Sequence, residues 1–293
     1  MPHKAGFVNI LGAPNVGKST LMNAITGEKL SIVTPKAQTT RHRIIGIVNG
    51  ENYQIVFSDT PGVITPQYKL QESMMGFVQT AMEDADIFLL VVEHGEPIEK
   101  SLLLPRLSET KTPVILALNK IDLADQSSIE KEINSWKQRL PHADILPISA
   151  LHNFNIDGLL KILLQHLPES PPYFDKDELT DRNLRFFVSE IIREKILLNF
   201  KQEIPYSAEV AIEDFQEEPA IVKIRASIIV NRESQKVIVI GHHGKAIKRL
   251  GTDARKDIEL YLGQKVFLEL TVKVIKDWRD DPRHLRWFGY NPQ

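Results

Sequence analysis

Gly12-Ala13-Pro14-Asn15-Val16-Gly17-Lys18-Ser19-Thr20 follows the apolar run Phe7-Val8-Asn9-Ile10-Leu11 and leads into Leu21–Ile25, where apolar residues recur at helical spacing. A strand, a glycine loop ending in Lys-Ser and a helix, in that order, form a phosphate cradle. The glycines let the backbone wrap round a di- or triphosphate, so that successive N–H groups and the helix N-terminus face the anion. Lys18 is then placed to reach the β- and γ-phosphates, and the Ser19 hydroxyl to ligate Mg2+. The bland alternative is an ordinary glycine turn between a strand and a helix.

Two further segments choose the nucleotide. Asn119-Lys120-Ile121-Asp122 closes the apolar run Pro113–Leu118, which has the composition of a buried parallel strand. A carboxylate at Asp122 can accept from guanine N1–H and N2–H2, donors that adenine lacks. The Asn119 amide can bond base and loop together, and the Lys120 stem can lie on the ring. Ser149-Ala150-Leu151, after the strand Asp144–Ile148, could present a backbone N–H to guanine O6. Together with the phosphate loop, these segments imply GTP or GDP.

Asp59-Thr60-Pro61-Gly62 ends the strand Gln54–Ser58 and falls between those motifs. Its position assigns Asp59 to the Mg2+ shell, through water, and the Gly62 N–H to the γ-phosphate. The polar stretch Pro35–His42 supplies a threonine that completes the shell when γ-phosphate is present and lets go when it leaves. Thr40 is the choice and Thr39 the alternative, since spacing does not separate them. Val63 stands where Ras-like GTPases carry the glutamine that orients water, so the expected hydrolysis is slow. Arg41 reads as a solvated loop cation rather than an internal arginine finger.

The chain has 293 residues, no cysteine and a formal net charge of −2, which bounds it to one or two domains without disulfides or a cysteine metal cluster. Its first strand begins by Phe7, leaving no room for a signal peptide, and apolar runs such as Ile87–Val92 are too short to span a bilayer. Strands at Phe7–Leu11, Gln54–Ser58, Ile87–Val92, Val114–Leu118 and Asp144–Ile148 alternate with amphipathic helices at Leu70–Met82 and Ile129–Leu140. That is a doubly wound, mostly parallel α/β sheet with its loops at strand carboxyl ends, in a domain of residues 1–167 closed by a helix at Ile156–His166. Residues 168–182, rich in proline and acids, read as a linker that can dock on the first domain.

A second, α+β domain occupies residues 183–293. A helix at Leu184–Phe200 precedes strands at Ser207–Phe215 and Pro219–Asn231, a helix at Lys245–Leu262 and a strand at Val266–Val274. From Pro171 onward 21 basic residues face 20 acidic ones, so total charge gives no argument for nucleic acid. Distribution does. Lys236, Lys245, Lys248 and Arg249 lie in a stretch with no acid, around Gly241-His242-His243-Gly244. Glycines opening a basic helix can seat phosphates against peptide N–H groups, as in the loop by which KH domains clamp single strands. Ile238, Ile240 and Ile247 could line a groove for bases. The β-branched run Val237–Ile240 has strand composition, whereas the KH analogy makes it the end of a short helix and overrides that composition. Trp278, Trp287, Phe288 and Tyr290, interleaved with Arg279, Arg283 and Arg286, serve either RNA stacking or core packing.

With these motifs, Gln38-Thr39-Thr40-Arg41, Leu250–Arg255 and the ending Val272–Tyr290, the chain resembles the Era GTPases of bacteria and organelles over nearly its whole length. The resemblance implies a P-loop GTPase domain joined to a type II KH domain that binds the single-stranded 3′ end of small-subunit rRNA and assists maturation of the small ribosomal subunit. It also implies a cytoplasmic protein, monomeric and loosely associated with the inner membrane face. Asn15 matches an asparagine that resembles a K+ ligand in related hydrolases. Many relatives place lysine or arginine inside the G-x-x-G loop, where this chain has two histidines, which are weaker cations. Two rivals remain: a tRNA-modifying GTPase, disfavoured by the missing cysteine, and a GTPase whose second domain docks a protein without RNA.

Overall fold

The computed structural model describes residues 2–97 and 101–290, and the chain divides into two units, Met1–Pro66 with Gln71–Asp181 and Gln67–Leu70 with Arg182–Asn291. In the first, the strands are β1 (Lys4–Leu11), β2 (Ile44–Asn49), β3 (Tyr53–Asp59), β4 (Ile87–Glu93), β5 (Val114–Asn119) and β6 (Asp144–Pro147). They lie in the order β2-β3-β1-β4-β5-β6, parallel except for β2, which runs antiparallel to β3. The apolar run of β5 is buried from end to end because helices cover both faces, as parallel strands require. Helices α1 (Lys18–Thr26), α2 (Lys69–Glu83), α3 (Leu104–Ser108), α4 (Gln126–Arg139) and α5 (Ile156–His166) complete the unit. In α5, Ile156, Leu159 and Leu163 make the inward stripe, and α4 starts where the Asp125 carboxylate accepts the Ser128 N–H at 3.0 Å.

Sequence reading overlooks β2. Its run Ile44-Ile45-Gly46-Ile47-Val48-Asn49 is interrupted by a glycine and adjoins the polar stretch before it. Pairing with β3 makes it a strand. The proline-rich stretch after α5 is docked on this unit: Ala5 N–H donates to Pro168 O and Ile47 N–H to Leu179 O. No helix among the described residues is long and apolar enough to cross a membrane.

The second unit runs α6 (Leu184–Asn199), α7 (Ile204–Ser207), β7 (Glu209–Glu218), β8 (Ile221–Val230), α8 (Glu233–Ile240), α9 (Lys245–Leu262), β9 (Val266–Val274) and α10 (Pro282–Trp287). β8 is central, antiparallel to β7 and parallel to β9. Its residues Val222, Ile224, Ala226, Ile228 and Val230 face the helices and form a core with Ile192, Ile196, Val239, Leu250 and Ile258. The strand composition of Val237–Ile240 gives way to helix: Gln235 Oε1 accepts the N–H groups of Asn231 and Arg232, Val239 enters the core, and Gly241 ends the helix. The expected strand at Ser207 starts two residues later, after the short α7.

The tail aromatics divide. Trp278 is buried and donates its indole N–H to Ser207 O at 3.0 Å, and Tyr290 is buried with its hydroxyl donating to the Glu209 carboxylate. Trp287 stays 63% exposed. Core packing therefore claims Trp278 and Tyr290. Replacing Tyr290 by Phe removes a buried hydrogen bond to a carboxylate and should lower stability by about 1.5–3 kcal/mol. Urea unfolding followed through tryptophan fluorescence reads it, and an unchanged midpoint would mean that Glu209 does not need this donor.

Candidate functional site

The loop between β1 and α1 holds Asn15 at φ 66° and Gly17 at φ 101°, both left-handed, so the chain curls into a nest before the helix begins at Lys18. Lys18 is only 6% exposed, and its ammonium donates to Gly12 O at 3.1 Å and Ala13 O at 2.7 Å. Burial pushes the Lys18 ammonium down to about 8, against the opposing pull of Asp59 and Glu96. Burial likewise raises the Asp59 carboxyl, against Lys18 and its hydroxyl donors. Thr60 is buried with its hydroxyl on Ile10 O at 2.7 Å, which sets the turn after Asp59.

Three oxygens converge beside Lys18. Ser19 Oγ donates to Asp59 Oδ2 at 2.7 Å and lies 2.7 Å from Thr40 Oγ1. Asp59 Oδ1 is buried with no hydrogen-bond partner. Two hydroxyls and a carboxylate with an orphaned oxygen are a hard-oxygen donor set of the kind Mg2+ takes, so the residues fit that ion. Thr39 points elsewhere, to Thr34 Oγ1 and Lys36 O at 2.6 Å each. Geometry thus separates two threonines that spacing does not. Arg41 is 1% exposed, so the solvated-cation reading is wrong: its aliphatic stem and guanidinium are packed inside.

A cleft of about 350 Å3 opens over these groups, lined by Pro14, Lys18, Thr20, Thr40, Gly62 and Lys120 among others. Pro61 is buried, and Gly62 lies so close to the phosphate loop that a Cβ there would fall 2.7 Å from Pro14 backbone. The Val63 N–H donates to Gly12 O at 3.1 Å while its side chain packs on the apolar cluster of β4 and β5. The position where a glutamine would orient water therefore carries an apolar side chain turned onto the core, with its N–H already taken. Asn15 donates its amide to Pro35 O at 3.2 Å, joining the loop to the polar stretch before Thr40.

At the carboxyl end of β5, Asn119 is 2% exposed and spans two loops: Nδ2 donates to Val16 O at 2.8 Å and Oδ1 accepts the Ala150 N–H at 2.9 Å. The Ala150 amide is thus engaged in fixing Asn119, a duty the sequence does not reveal. Ser149 Oγ donates to Asp122 Oδ1 at 2.5 Å, which orients the carboxylate. Lys120 is left-handed and paired with Glu93 at 2.7 Å, Ile121 packs toward the core, and Leu151 is 72% exposed beside them. Glu93 and the nearby His152, 3.8 Å from Asp122, have no signal in motif spacing.

In the second unit, α8 stops at Gly241, whose φ of 72° with ψ 174° turns the chain, and Gly244 at φ 73° caps the start of α9. His242 and His243 are exposed, their rings edge to face at 4.0 Å. Lys245, Lys248, Arg249 and Arg255 are exposed along α9, and Lys236 is half-buried on α8. An open groove of about 330 Å3 lies between α9 and β9, lined by Ile247, Lys248, Gly251, Arg255, Leu268 and Leu270 among others. Of the expected apolar lining Ile247 is present; Ile238 is 53% exposed away from it and Ile240 packs on the core. Sequence reading overlooks Leu268, Leu270 and Gly251. The available signal was a glycine inside a helix, which costs about 1 kcal/mol and calls for a reason such as room in a groove.

Residues 7–120 match the family described as 50S ribosome-binding GTPase, and residues 203–279 match the KH domain. The chain is 47% identical to GTPase Era of Syntrophus aciditrophicus, an alignment covering 98% of this chain and 95% of that one. It is 43% identical to GTPase Era of Staphylococcus haemolyticus, over 98% and 97%. Among solved structures, one of Era in complex with MgGDPNP and nucleotides 1506–1542 of 16S ribosomal RNA superposes with TM-score 0.94 and 40% identity, covering 98% of this chain and 99% of that one. An Aquifex aeolicus Era variant bound to GDP·AlF4− gives TM-score 0.92 and 39% identity, over 98% and 99%.

The lowered Lys18 makes a pH prediction. Phosphate binds the ammonium form, and above about pH 8 the ligand-free site gives up that proton. Affinity should therefore fall as pH rises past 8, by up to about tenfold per unit. Calorimetry of GDP binding at pH 9 in buffers of different ionisation enthalpy should find close to one proton taken up per nucleotide. An uptake near zero would mean Lys18 is not neutralised by its burial.

Proposed function

The chain belongs to the Era family of GTPases, and from that premise we propose that it is a GTP-hydrolysing switch that clamps the single-stranded 3′ end of small-subunit rRNA and assists maturation of the small ribosomal subunit. The observation that carries the switch is the convergence of Ser19, Thr40 and Asp59, one residue from each of three separate segments, within hydrogen-bond reach of one another. These residues would hold Mg2+, which when bound neutralises charge on the β- and γ-phosphates. Lys18 and the loop amides of Gly12 to Thr20 bind the phosphates, Gly62 approaches the γ-phosphate, and Asp122 reads guanine with Asn119, Lys120 and the Ser149–Leu151 loop beside it. Turned over, the Asn15 amide would set its oxygen beside Pro35 O, a pair of neutral oxygens suited to K+. With a valine after Gly62, hydrolysis by the isolated chain is slow.

RNA binding rests on the α9–β9 groove and its G-x-x-G mouth. Lys236, Lys245, Lys248 and Arg249 supply charge, Gly241 to Gly244 seat phosphates, and Ile247, Leu268 and Leu270 offer an apolar wall for unstacked bases. GTP and RNA favour the same state, so each raises the other's affinity by the same factor. The working form is a cytoplasmic monomer, and any membrane contact made through its described helices would be peripheral.

Affinity for an oligonucleotide matching the rRNA 3′ end should be higher with a non-hydrolysable GTP analogue than with GDP. Gly244→Asp puts a carboxylate in the path of the RNA backbone and should weaken that binding by more than tenfold. Undiminished binding, or none by the unaltered chain, would instead favour a protein-docking role for the second unit. For the base, Asp122→Asn should lower guanine nucleotide affinity about a hundredfold, or ~2.7 kcal/mol, and favour xanthine, which carries a carbonyl where guanine carries an amine. Unchanged preference would remove Asp122 from base reading.

A further inference from the structure

The stretch that follows α5 starts against β1, where the Ala5 N–H donates to Pro168 O, and is then fastened to the β2–β3 hairpin. Gln54, on β3, has no exposed surface and stands at the turn end of that hairpin. Its Oε1 accepts the N–H groups of Tyr173 at 2.7 Å and Phe174 at 3.0 Å, while Nε2 donates to Phe174 O and Asn49 Oδ1, each at 2.8 Å. Asn49 in turn donates to Lys176 O at 3.0 Å, and Lys176 Nζ returns to Gly50 O at 3.0 Å and Glu51 O at 2.9 Å. Farther along, Ile47 N–H donates to Leu179 O at 2.9 Å, and the Phe174 ring packs on Ile45, Ile47 and Val56.

The other end of the same hairpin is the nucleotide site. Ile44 pairs with Asp59, whose carboxylate lies in the Ser19–Thr40 cluster, and Thr40 precedes Ile44 by four residues. The two ends stand roughly 17 Å apart at ~3.4 Å per residue. Between them β2 and β3 are paired without a bulge, and β3 is clamped on its other edge by β1. A paired strand transmits displacement because slipping its register by one residue would turn every side chain to the wrong face.

We infer that the β2–β3 hairpin is a lever joining the nucleotide site to the segment that leads into the second unit, and that Gln54 is the residue that grips that segment. A primary amide suits this role, because it offers an acceptor for two peptide N–H groups and donors for a peptide carbonyl, which glutamate or leucine cannot do together. The input of the lever is the nucleotide. Its output, a change in RNA affinity, rests on the function proposed above.

The test reads input and output separately, in the full chain. Amide hydrogen exchange at Ile47, Tyr173 and Phe174 is compared with Mg2+ and GDP against Mg2+ and a non-hydrolysable GTP analogue. At least a threefold change in rate is expected at the linker amides, and identical rates in both states overturn the lever. RNA affinity is then measured in both nucleotide states for Gln54→Leu and, because a buried variant can fail to fold, for the exposed Lys176→Met. In either, the ratio of affinities should shrink at least threefold while hydrolysis of GTP without RNA stays within twofold of the parent. An unaltered ratio in a folded variant overturns the assignment. Exchange that responds to nucleotide in a chain whose RNA affinity does not would sink the gating role and leave the lever standing.

Discussion

One buried side chain holds the nucleotide site in register. Asn119 bonds the phosphate loop through Val16 O and the base loop through the Ala150 N–H, and its own carbonyl accepts the His94 N–H at the end of the neighbouring strand. Three loops at the carboxyl ends of β1, β4 and β5, and a fourth after β6, are thereby fixed to one another. The same contact dictates Gly17, since a Cβ there would fall 2.2 Å from Asn119 Nδ2. Losing the amide would strand a peptide carbonyl and a peptide N–H in the interior, each costing about 1–3 kcal/mol. Preorganisation of the phosphate and base ends is thus a single property, rather than two sites that happen to adjoin.

The second unit solves a different problem, keeping a shallow groove open beside a loop bracketed by glycines. Its sheet buries one face against α6, α8 and α9, and the buried Trp278 and Tyr290 hold the tail against Ser207 and Glu209. That buttress leaves α9 free to present its cations outward. Gly251, a weak helix residue, sits at the groove where Leu270 Cδ1 is already 3.4 Å from the place a Cβ would take. Local helix stability is given up there for depth.

What was legible in the sequence was what is written in consecutive residues. Gly12–Thr20, Asp59–Gly62 and Asn119–Asp122 each carry their chemistry within a few positions, and buried parallel strands announce themselves as unbroken apolar runs. Facts decided by tertiary contact were illegible. Thr40 differs from Thr39 only in which hydroxyl reaches Ser19, and Arg41 looks solvated until the fold closes over it. Val237–Ile240 carries β-branched residues into a helix because Gln235 caps its start and the core needs Val239. Gln54 reads as one polar residue opening a strand, and nothing local says that it binds a segment 120 positions away.

The docked linker also matters to sheet chemistry. β2 is the outermost strand of its sheet, and an unprotected outer strand offers its backbone to any other extended chain. Leu179 already takes the Ile47 amide, and Phe174 covers the apolar side chains beneath. A fragment cut at residue 167, where the α/β sequence pattern ends, would carry an open, isoleucine-rich edge. One cut after Asp181 would keep it sealed. The natural limit of the folded unit is therefore set by edge closure, and the seal on that edge comes from a stretch that has no regular structure of its own.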